Sequence, residues 1–260
     1  SPDVIIGDTK ILAASPNELK SAGFGDMMAK YIGLVDWQVS SLLTGEYYCE
    51  RIAALTRSAT DELFNLADKV TANDEYTAGK IFESLLKTGI GMSFSQNSRP
   101  ASGSEHIISH LIECVQLRDG ILPNFHGEDI GVCTLEMLKY YNELAEHKTI
   151  KTKKENVDWE DVYKFYGSMA DDVKKLNFPH NVVDDVDIDV LRERWGDIVN
   201  IIHSVPDYNS VKEAMVKAHC KITVDDIGKD RTLFDNCVKY SPYMRHRLTL
   251  LRLKDMIVTE

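Results

Sequence analysis

Residues 99–128, RPASGSEHIISHLIECVQLRDGILPNFHGE, form the stretch from which the fold and the chemistry of this chain are predicted. His106 and His110 lie four residues apart where apolar residues recur with helical spacing, so one face of a predicted helix carries both imidazoles. This helix is predicted to end at about Leu117. After a loop rich in glycine, proline and asparagine, His126 begins the next predicted helix.

A carboxylate far upstream extends this pattern. The segment SAGFGD places Asp26 where a turn flanked by glycines is predicted to enter a helix. With His106 and His126 it gives two imidazoles and one carboxylate from three separate segments. This is the ligand set of a catalytic divalent metal with one coordination position left open. A single histidine is more often an ordinary core or surface residue, so the prediction depends on the combination.

A family resemblance is carried by three segments, AGFGDMMAKY, RPASGSEHIISH and NFHGEDIGVCTL. They resemble the matching segments of sn-glycerol-1-phosphate dehydrogenases, which belong with metal-dependent glycerol dehydrogenases, iron-type alcohol dehydrogenases and dehydroquinate synthases. The form SGSEHxxSH and the tail SPYMRHRLTLLRL favour the glycerol-phosphate branch, whereas the dehydroquinate synthase signature GHTFGH is replaced here by SEHIISH. The resemblance covers nearly the whole chain.

The resemblance implies an activity and its cofactors. The family reversibly reduces dihydroxyacetone phosphate to sn-glycerol 1-phosphate with NAD or NADP, and the ligand set suits zinc or nickel. Family members also have an N-terminal nucleotide-binding domain, but this sequence has no GxGxxG or similar glycine triple. Residues 1–20 are therefore predicted to be a remnant of that domain with a hinge, and residues 21–260 the helical metal- and substrate-binding domain. The nucleotide would be bound by a domain outside this chain.

Further residues are predicted to surround the metal. His110 is by resemblance the substrate-side histidine, suited to binding substrate or relaying a proton because an imidazole titrates near neutral pH. A packing role is the alternative. Glu105 and Glu128 flank the predicted ligands and are interpreted as groups that orient the imidazoles.

Arg99 is the predicted anion-binding residue. A guanidinium fork suits a phosphate, and Ser102 with the amides after it at the start of the histidine helix would contact the same group. A solvated loop arginine is the alternative. Lys30, one helical turn after Asp26, would either reach the substrate pocket or pair with Asp26.

Composition narrows the class of partner. The 260 residues are 43% hydrophobic and 27% charged, as in ordinary globular proteins, and the net charge of −11 argues against general attraction to nucleic acid or anionic membranes. No apolar run approaches the roughly 20 residues that a membrane span needs. Five cysteines without a CxxC motif favour a reducing cytoplasm. The expected partner is a small phosphorylated three-carbon substrate, and a homodimer is compatible with the sequence.

The predicted architecture is an all-α bundle with one residual N-terminal strand at residues 3–7, DVIIG, followed by a short helix in KILAASP. Further helices are predicted at about 27–43, 46–70 with a break near 57–58, 74–94, 103–117, 126–145, 158–176, 188–204, 209–219, 230–240 and 243–257. The segment KTIKTKKENVD is predicted to be an exposed basic linker.

Two alternatives to the glycerol-phosphate activity remain open. One is a glycerol or other polyol dehydrogenase of the same group that lacks phosphate recognition. The other is a catalytically silent metal-binding helical fragment, because intact ligands without a cofactor loop fit that hypothesis too.

Overall fold

A computed structural model describes residues 3–259, and most of these residues are in helices. The α-helices are α1 Thr9–Ala14, α2 Asn17–Met28, α3 Lys30–Thr44, α4 Glu50–Phe64, α5 Glu75–Ser95, α6 Ser104–Arg118, α7 His126–Ala145, α8 Trp159–Tyr166, α9 Ala170–Asn177, α10 Ile188–Glu193, α11 Trp195–His203, α12 Tyr208–Lys217 and α13 Arg231–Tyr240. Short 3₁₀ turns lie at 67–69, 167–169, 182–185, 241–243 and 251–253. The all-α prediction is confirmed.

One small sheet accompanies the helices in the described residues. It joins β1 Ile150–Thr152 and β2 Ile257–Thr259 as an antiparallel pair, with Lys151 opposite Val258. Part of the predicted basic linker is therefore β1. None of the helices within residues 3–259 has both the length and the apolar character needed to cross a membrane.

The strand predicted at residues 3–7 is wrong in its position. Residues 4–8 have no regular secondary structure, and Val4, Ile5 and Ile6 are exposed. A β-branched run becomes a strand only when another strand pairs with it, and the sole ladder in the described residues joins β1 and β2. The predicted short helix that follows is present as α1.

Several predicted helix bounds also change. The segment 243–257 is not one helix but irregular chain, a 3₁₀ turn and the start of β2. Helix α4 begins at Glu50 and continues through the predicted break, where Arg57 pairs with Asp61 one turn later. The predicted boundary at residues 20–21 falls inside α2.

Helices α2 and α7 pack so closely that glycine is required at their contact. A Cβ atom on Gly127 would lie 1.9 Å from the carbonyl oxygen of Ala22, and one on Gly25 would lie 2.6 Å from the carbonyl oxygen of Gly127. The predicted turn before Asp26 is therefore wrong, because Gly25 lies within α2 and serves helix packing. This contact sets the end of α2 beside the start of α7.

The C-terminal segment packs back into the core. Leu248, Leu250, Leu251 and Leu253 are buried, and the 3₁₀ turn at 241–243 lies against α6. We refer to residues 244–250, which contain Arg245 and Arg247, as the arginine segment. Its buried leucines place it next to the histidine helix α6.

Candidate active site

Three helix ends meet at one position and bring together the predicted ligands. Asp26 lies in the last turn of α2, His106 in the first turn of α6, and His126 is the first residue of α7. Their ligand atoms all lie within 4.8 Å of one another, and Asp26 Oδ1 is 3.3 Å from His106 Nε2. We refer to these residues as the ligand triad.

Two glutamates orient the imidazoles of the triad. His106 Nδ1 lies 2.6 Å from Oε1 of the fully buried Glu105, and His126 Nδ1 lies 2.8 Å from Glu113 Oε1. A carboxylate at Nδ1 favours the tautomer whose proton is on Nδ1, which leaves the lone pair of Nε2 available. His126 can therefore present the lone pair of Nε2 to a metal, whereas Nε2 of His106 faces the Asp26 carboxylate and would release its proton when a metal binds.

Glu113 is a site residue that the sequence interpretation missed. Its other oxygen, Oε2, lies 3.3 Å from His110 Nδ1, and the hydrogen bonds from His110 and His126 lower the pKa of Glu113 to about 2. It lies three residues after His110 on the same helix, so helical spacing could have indicated it. Glu128, which was predicted instead, lines a different cleft with Asn17 and Lys221.

His110, Glu113 and His126 form a second group whose ligand atoms are equally close. The two groups share His126, so they compete for one imidazole. The second group is more exposed, with side-chain exposures of 36%, 21% and 43% for His110, Glu113 and His126. The ligand triad, with the buried His106 and the largely buried Asp26, is the better metal site.

Asp26 is ionised although it is enclosed. Burial on its own would raise the pKa of this carboxyl, but the Lys30 ammonium, 2.9 Å from Oδ1, and the hydrogen bond to His106 outweigh it and lower the pKa below its usual range. For His106, burial and Lys30 lower the pKa, while Asp26 and Glu105 raise it to a greater extent. Lys30 pairs with Asp26 and also lines the cavity beside the ligand triad, so the two roles predicted for it are compatible.

Arg99 does not lie in the site. Its Nε donates to Glu46 Oε1 at 2.8 Å and its Nη1 to the Leu248 carbonyl at 2.7 Å, and the residue is only 4% exposed. With a further bond to Ser40, its donors are used within the fold. The predicted phosphate contact is therefore not supported, because the loop carries this guanidinium inward.

Two arginines from the arginine segment lie where Arg99 was predicted. A cavity of about 380 Å³ is lined by the ligand triad with Lys30, Ser102, His110, Arg245 and Arg247. Arg247 donates to the Ser102 carbonyl at 2.9 Å and to Ser98 Oγ at 2.8 Å, while burial lowers its pKa to about 10, so it stays charged at neutral pH. Exposed Arg245 has no ion pair with any residue between 3 and 259.

This cavity contains the histidines that have metal-ligating geometry. A larger cleft of about 580 Å³ near Trp159 and Phe178 has no histidine or cysteine in its lining. The tail motif SPYMRHRLTLLRL was part of the family resemblance, but its arginines could not be assigned to the cavity without knowing how the segment folds back.

The fold and site define a class: a mostly helical domain in which a group of side chains that could hold a metal ion lies beside cationic side chains. The chain is 28% identical to glycerol-1-phosphate dehydrogenase [NAD(P)+] of Halalkalibacterium halodurans over 96% of this chain, and 27% identical to that of Geobacillus stearothermophilus over 100% of it. The Methanosarcina barkeri enzyme is 36% identical over 53% of the chain. No family profile matches the chain.

The chain is therefore related to the glycerol-1-phosphate dehydrogenases, and the predicted family resemblance is confirmed. By their names these relatives are NAD(P)-dependent oxidoreductases. The chain matches 56% and 59% of the length of the two relatives that cover nearly all of it, and 38% of the Methanosarcina barkeri enzyme.

Proposed function

We propose that this chain supplies the metal- and substrate-binding half of an NAD(P)-linked sn-glycerol-1-phosphate dehydrogenase, which reversibly reduces dihydroxyacetone phosphate. The observation that carries the proposal is the convergence of the ligand triad with Arg245 and Arg247 on one cavity. In this proposal residues 21–260 perform these roles, and the nucleotide is bound by sequence outside this chain.

The ligand triad fits a divalent cation such as zinc or nickel. Tetrahedral ligand bonds of about 2.0–2.2 Å put donor atoms roughly 3.3–3.6 Å apart, so atoms that already lie within 4.8 Å of one another need to approach by at most about 1.5 Å. Asp26 is ionised, and both imidazoles have an oriented Nε2 atom. A bound cation would supply Lewis acidity to a substrate carbonyl oxygen.

His110 is placed to handle the proton of the reaction. It lines the cavity, and its Nδ1 lies against Glu113, so Nε2 is the atom that would face the substrate oxygen. As the imidazolium it would give the Nε2 proton to that oxygen during reduction, and as the neutral ring it would accept a proton at Nε2 during oxidation. Glu113 links His110 to His126 and would keep the two rings in fixed relative orientation. Lys30 would act by orienting Asp26.

Arg245 and Arg247 are the proposed phosphate ligands in place of Arg99. Arg247 is fixed by Ser98 and Ser102, which turns a cation toward the cavity with little loss of side-chain entropy on binding. Ser102 is thereby an anchor for Arg247 as well as part of the cavity wall. This cationic wall favours a phosphorylated substrate over the unphosphorylated polyol of the alternative hypothesis.

Metal and ligand binding test the proposal. The purified chain should bind one equivalent of zinc or nickel by elemental analysis, and His106→Ala should abolish it. In calorimetry, glycerol 1-phosphate should bind the metal-loaded chain at least tenfold more tightly than glycerol. Arg245→Ala should weaken glycerol 1-phosphate binding several-fold, whereas Arg192→Ala, an exposed arginine on α10, should not. Equal affinity for glycerol and its phosphate would favour the polyol dehydrogenase.

A further inference from the structure

A buried carboxylate outside the cavity connects the helix of the metal site with the arginine segment. We propose that Asp36, on α3, is a positioning residue that fixes the start of α6 relative to residues 244–250. The inference rests on the proposed function of the ligand triad and the arginines. It assigns a role in substrate binding to a residue that does not line the cavity.

Asp36 is completely buried and holds three separate segments through hydrogen bonds. Its Oδ2 accepts from the backbone amide of Ser104, the first residue of α6, at 2.7 Å. Its Oδ1 accepts from the Tyr141 hydroxyl of α7 at 2.7 Å and from the backbone amide of Leu250 at 2.8 Å. One carboxylate therefore links the helices that carry His106 and His126 to the end of the arginine segment.

The bonds to Ser104 and Leu250 determine where functional side chains lie. Ser104 is two residues before His106, so its amide sets the first turn of α6. Leu250 is three residues after Arg247. The Leu248 carbonyl, which directly follows Arg247, accepts a hydrogen bond from Arg99. Backbone bonds of this kind fix a segment whatever its side chains do, so the distance between metal ligand and arginines depends on Asp36.

Gly103 lets the backbone at the start of α6 approach the carboxylate of Asp36 closely. A Cβ atom on Gly103 would lie 2.5 Å from Asp36 Oδ2 and 2.8 Å from Glu105 Oε2. Glu105 Oε1 accepts from the Gly103 amide at 3.0 Å and lies against His106, while its Oε2 has no hydrogen-bond partner among the described residues. Burying two carboxyl groups side by side costs folding free energy. A role in fixing the geometry of the site would explain why both are present.

The hydroxyl of Tyr141 completes the arrangement. Because its single proton goes to Asp36, the Ser104 hydroxyl, 2.7 Å away, must donate to the Tyr141 oxygen. Tyr141→Phe therefore removes one contact to Asp36 with almost no change in volume. Tyr166→Phe is the matched control, since Tyr166 is equally buried and its hydroxyl bonds to the Tyr240 carbonyl instead.

The test measures glycerol 1-phosphate binding to the zinc-loaded chain and the visible spectrum of the cobalt-loaded chain. Asp36→Asn keeps one oxygen acceptor and turns an NH2 group toward either the Ser104 amide or the Leu250 amide, so one of these backbone donors loses its acceptor. The affinity for glycerol 1-phosphate should then fall about tenfold, equivalent to about 1.4 kcal/mol. Tyr141→Phe should lower it several-fold. Tyr166→Phe should lower the melting temperature comparably to Tyr141→Phe but leave both affinity and cobalt spectrum unchanged.

A double-mutant cycle separates positioning from general destabilisation. If Asp36 acts through the arginine segment, the effect of Asp36→Asn on phosphate affinity should largely disappear in an Arg245→Ala background. Additive losses, or affinities within twofold of wild type in both Asp36→Asn and Tyr141→Phe, would overturn the inference. If Asp36→Asn does not fold, the same cycle with Tyr141→Phe decides. Wild-type chain that binds neither zinc nor phosphate would instead refute the proposed function.

Discussion

At the scale of single residues, Glu113 and Glu128 have different surroundings, although only Glu128 was predicted from the sequence to orient an imidazole. Glu113 contacts the Nδ1 atoms of His110 and His126, whereas Glu128 points into another cleft. A carboxylate that accepts from a metal-binding imidazole fixes its ring and increases its basicity. Glu113 should therefore affect metal affinity, and Glu128 should not.

Glu113→Gln is predicted to lower zinc affinity about 10- to 100-fold, because a neutral amide orients His126 less strongly than a carboxylate does. Competition against a chromophoric chelator measures this. Glu128→Gln is the matched control and should remain within twofold of wild type. The assignment of Glu113 would be contradicted if both variants lost the same affinity.

The Asp36 carboxyl makes stability depend on pH. Burial raises its pKa to about 6, the Leu250 amide opposes this, and Glu105 adds to it. In the unfolded chain the pKa is about 3.9, so the folded state holds a proton that the unfolded state has lost between these values. The stability from this group is full below about pH 4 and is lost as pH rises through about 6.

Relative to Asp36→Asn, the wild-type free energy of unfolding should therefore fall by roughly 2–3 kcal/mol between pH 4 and pH 7. Urea denaturation of both proteins across this range gives the difference, which cancels the other titrating groups. Parallel curves for the two proteins would show that Asp36 does not titrate in this way.

At the scale of elements, a helix could be predicted from the sequence where its capping residue or its side-chain spacing is local. Asp74 caps α5 through the amides of Tyr76 and Thr77, and the predicted start of that helix is correct. The histidine spacing likewise located α6 and α7. These features depend on neighbours in sequence, which is why they could be predicted.

Features that depend on distant contacts were not predictable in this way. In the sequence, Gly25 resembles a turn residue. In the fold, a glycine is needed there because the backbone of α7, about a hundred residues away in the chain, leaves no room for a Cβ atom. The apolar spacing in 243–257 is typical of a helix, but the backbone amide of Leu250 donates to Asp36 and the segment forms no α-helix. In the sequence, Arg99 resembles a phosphate ligand, but in the fold its guanidinium donates hydrogen bonds to Glu46 and to the Leu248 carbonyl instead.

The glycine contact between α2 and α7 gives a prediction at this scale. Gly127→Ala should destabilise the chain by several kcal/mol and weaken zinc binding, because its Cβ would push α2 away and separate Asp26 from His126. Gly89→Ala in α5 meets no atom within 4 Å and should stabilise by up to about 1 kcal/mol. Thermal unfolding and zinc titration of both variants check this. Equal tolerance of the two substitutions would contradict the packing role.

At the scale of the whole molecule, the proposed function requires a hydride donor beside the cavity that the ligand triad and the two arginines line. Hydride transfer requires the nicotinamide to be held about 3–3.5 Å from the substrate carbon. The sheet within residues 3–259 has only two strands, which cannot form the βαβ unit that typically holds a dinucleotide. The nucleotide contacts are therefore expected to come from sequence corresponding to the part of the relatives that this chain does not match.

The 260-residue chain alone is thus predicted to bind zinc and glycerol 1-phosphate but to reduce dihydroxyacetone phosphate at a negligible rate with NADH or NADPH. Fusion to the upstream nucleotide-binding part of a relative should raise turnover by orders of magnitude, because it converts an encounter with free cofactor into a fixed geometry. His106→Ala in the fusion should abolish that gain while leaving nucleotide binding intact, which separates the metal site from the cofactor site. Steady reduction by the chain alone, at a rate that the fusion does not improve, would mean that its helices bind the nucleotide themselves.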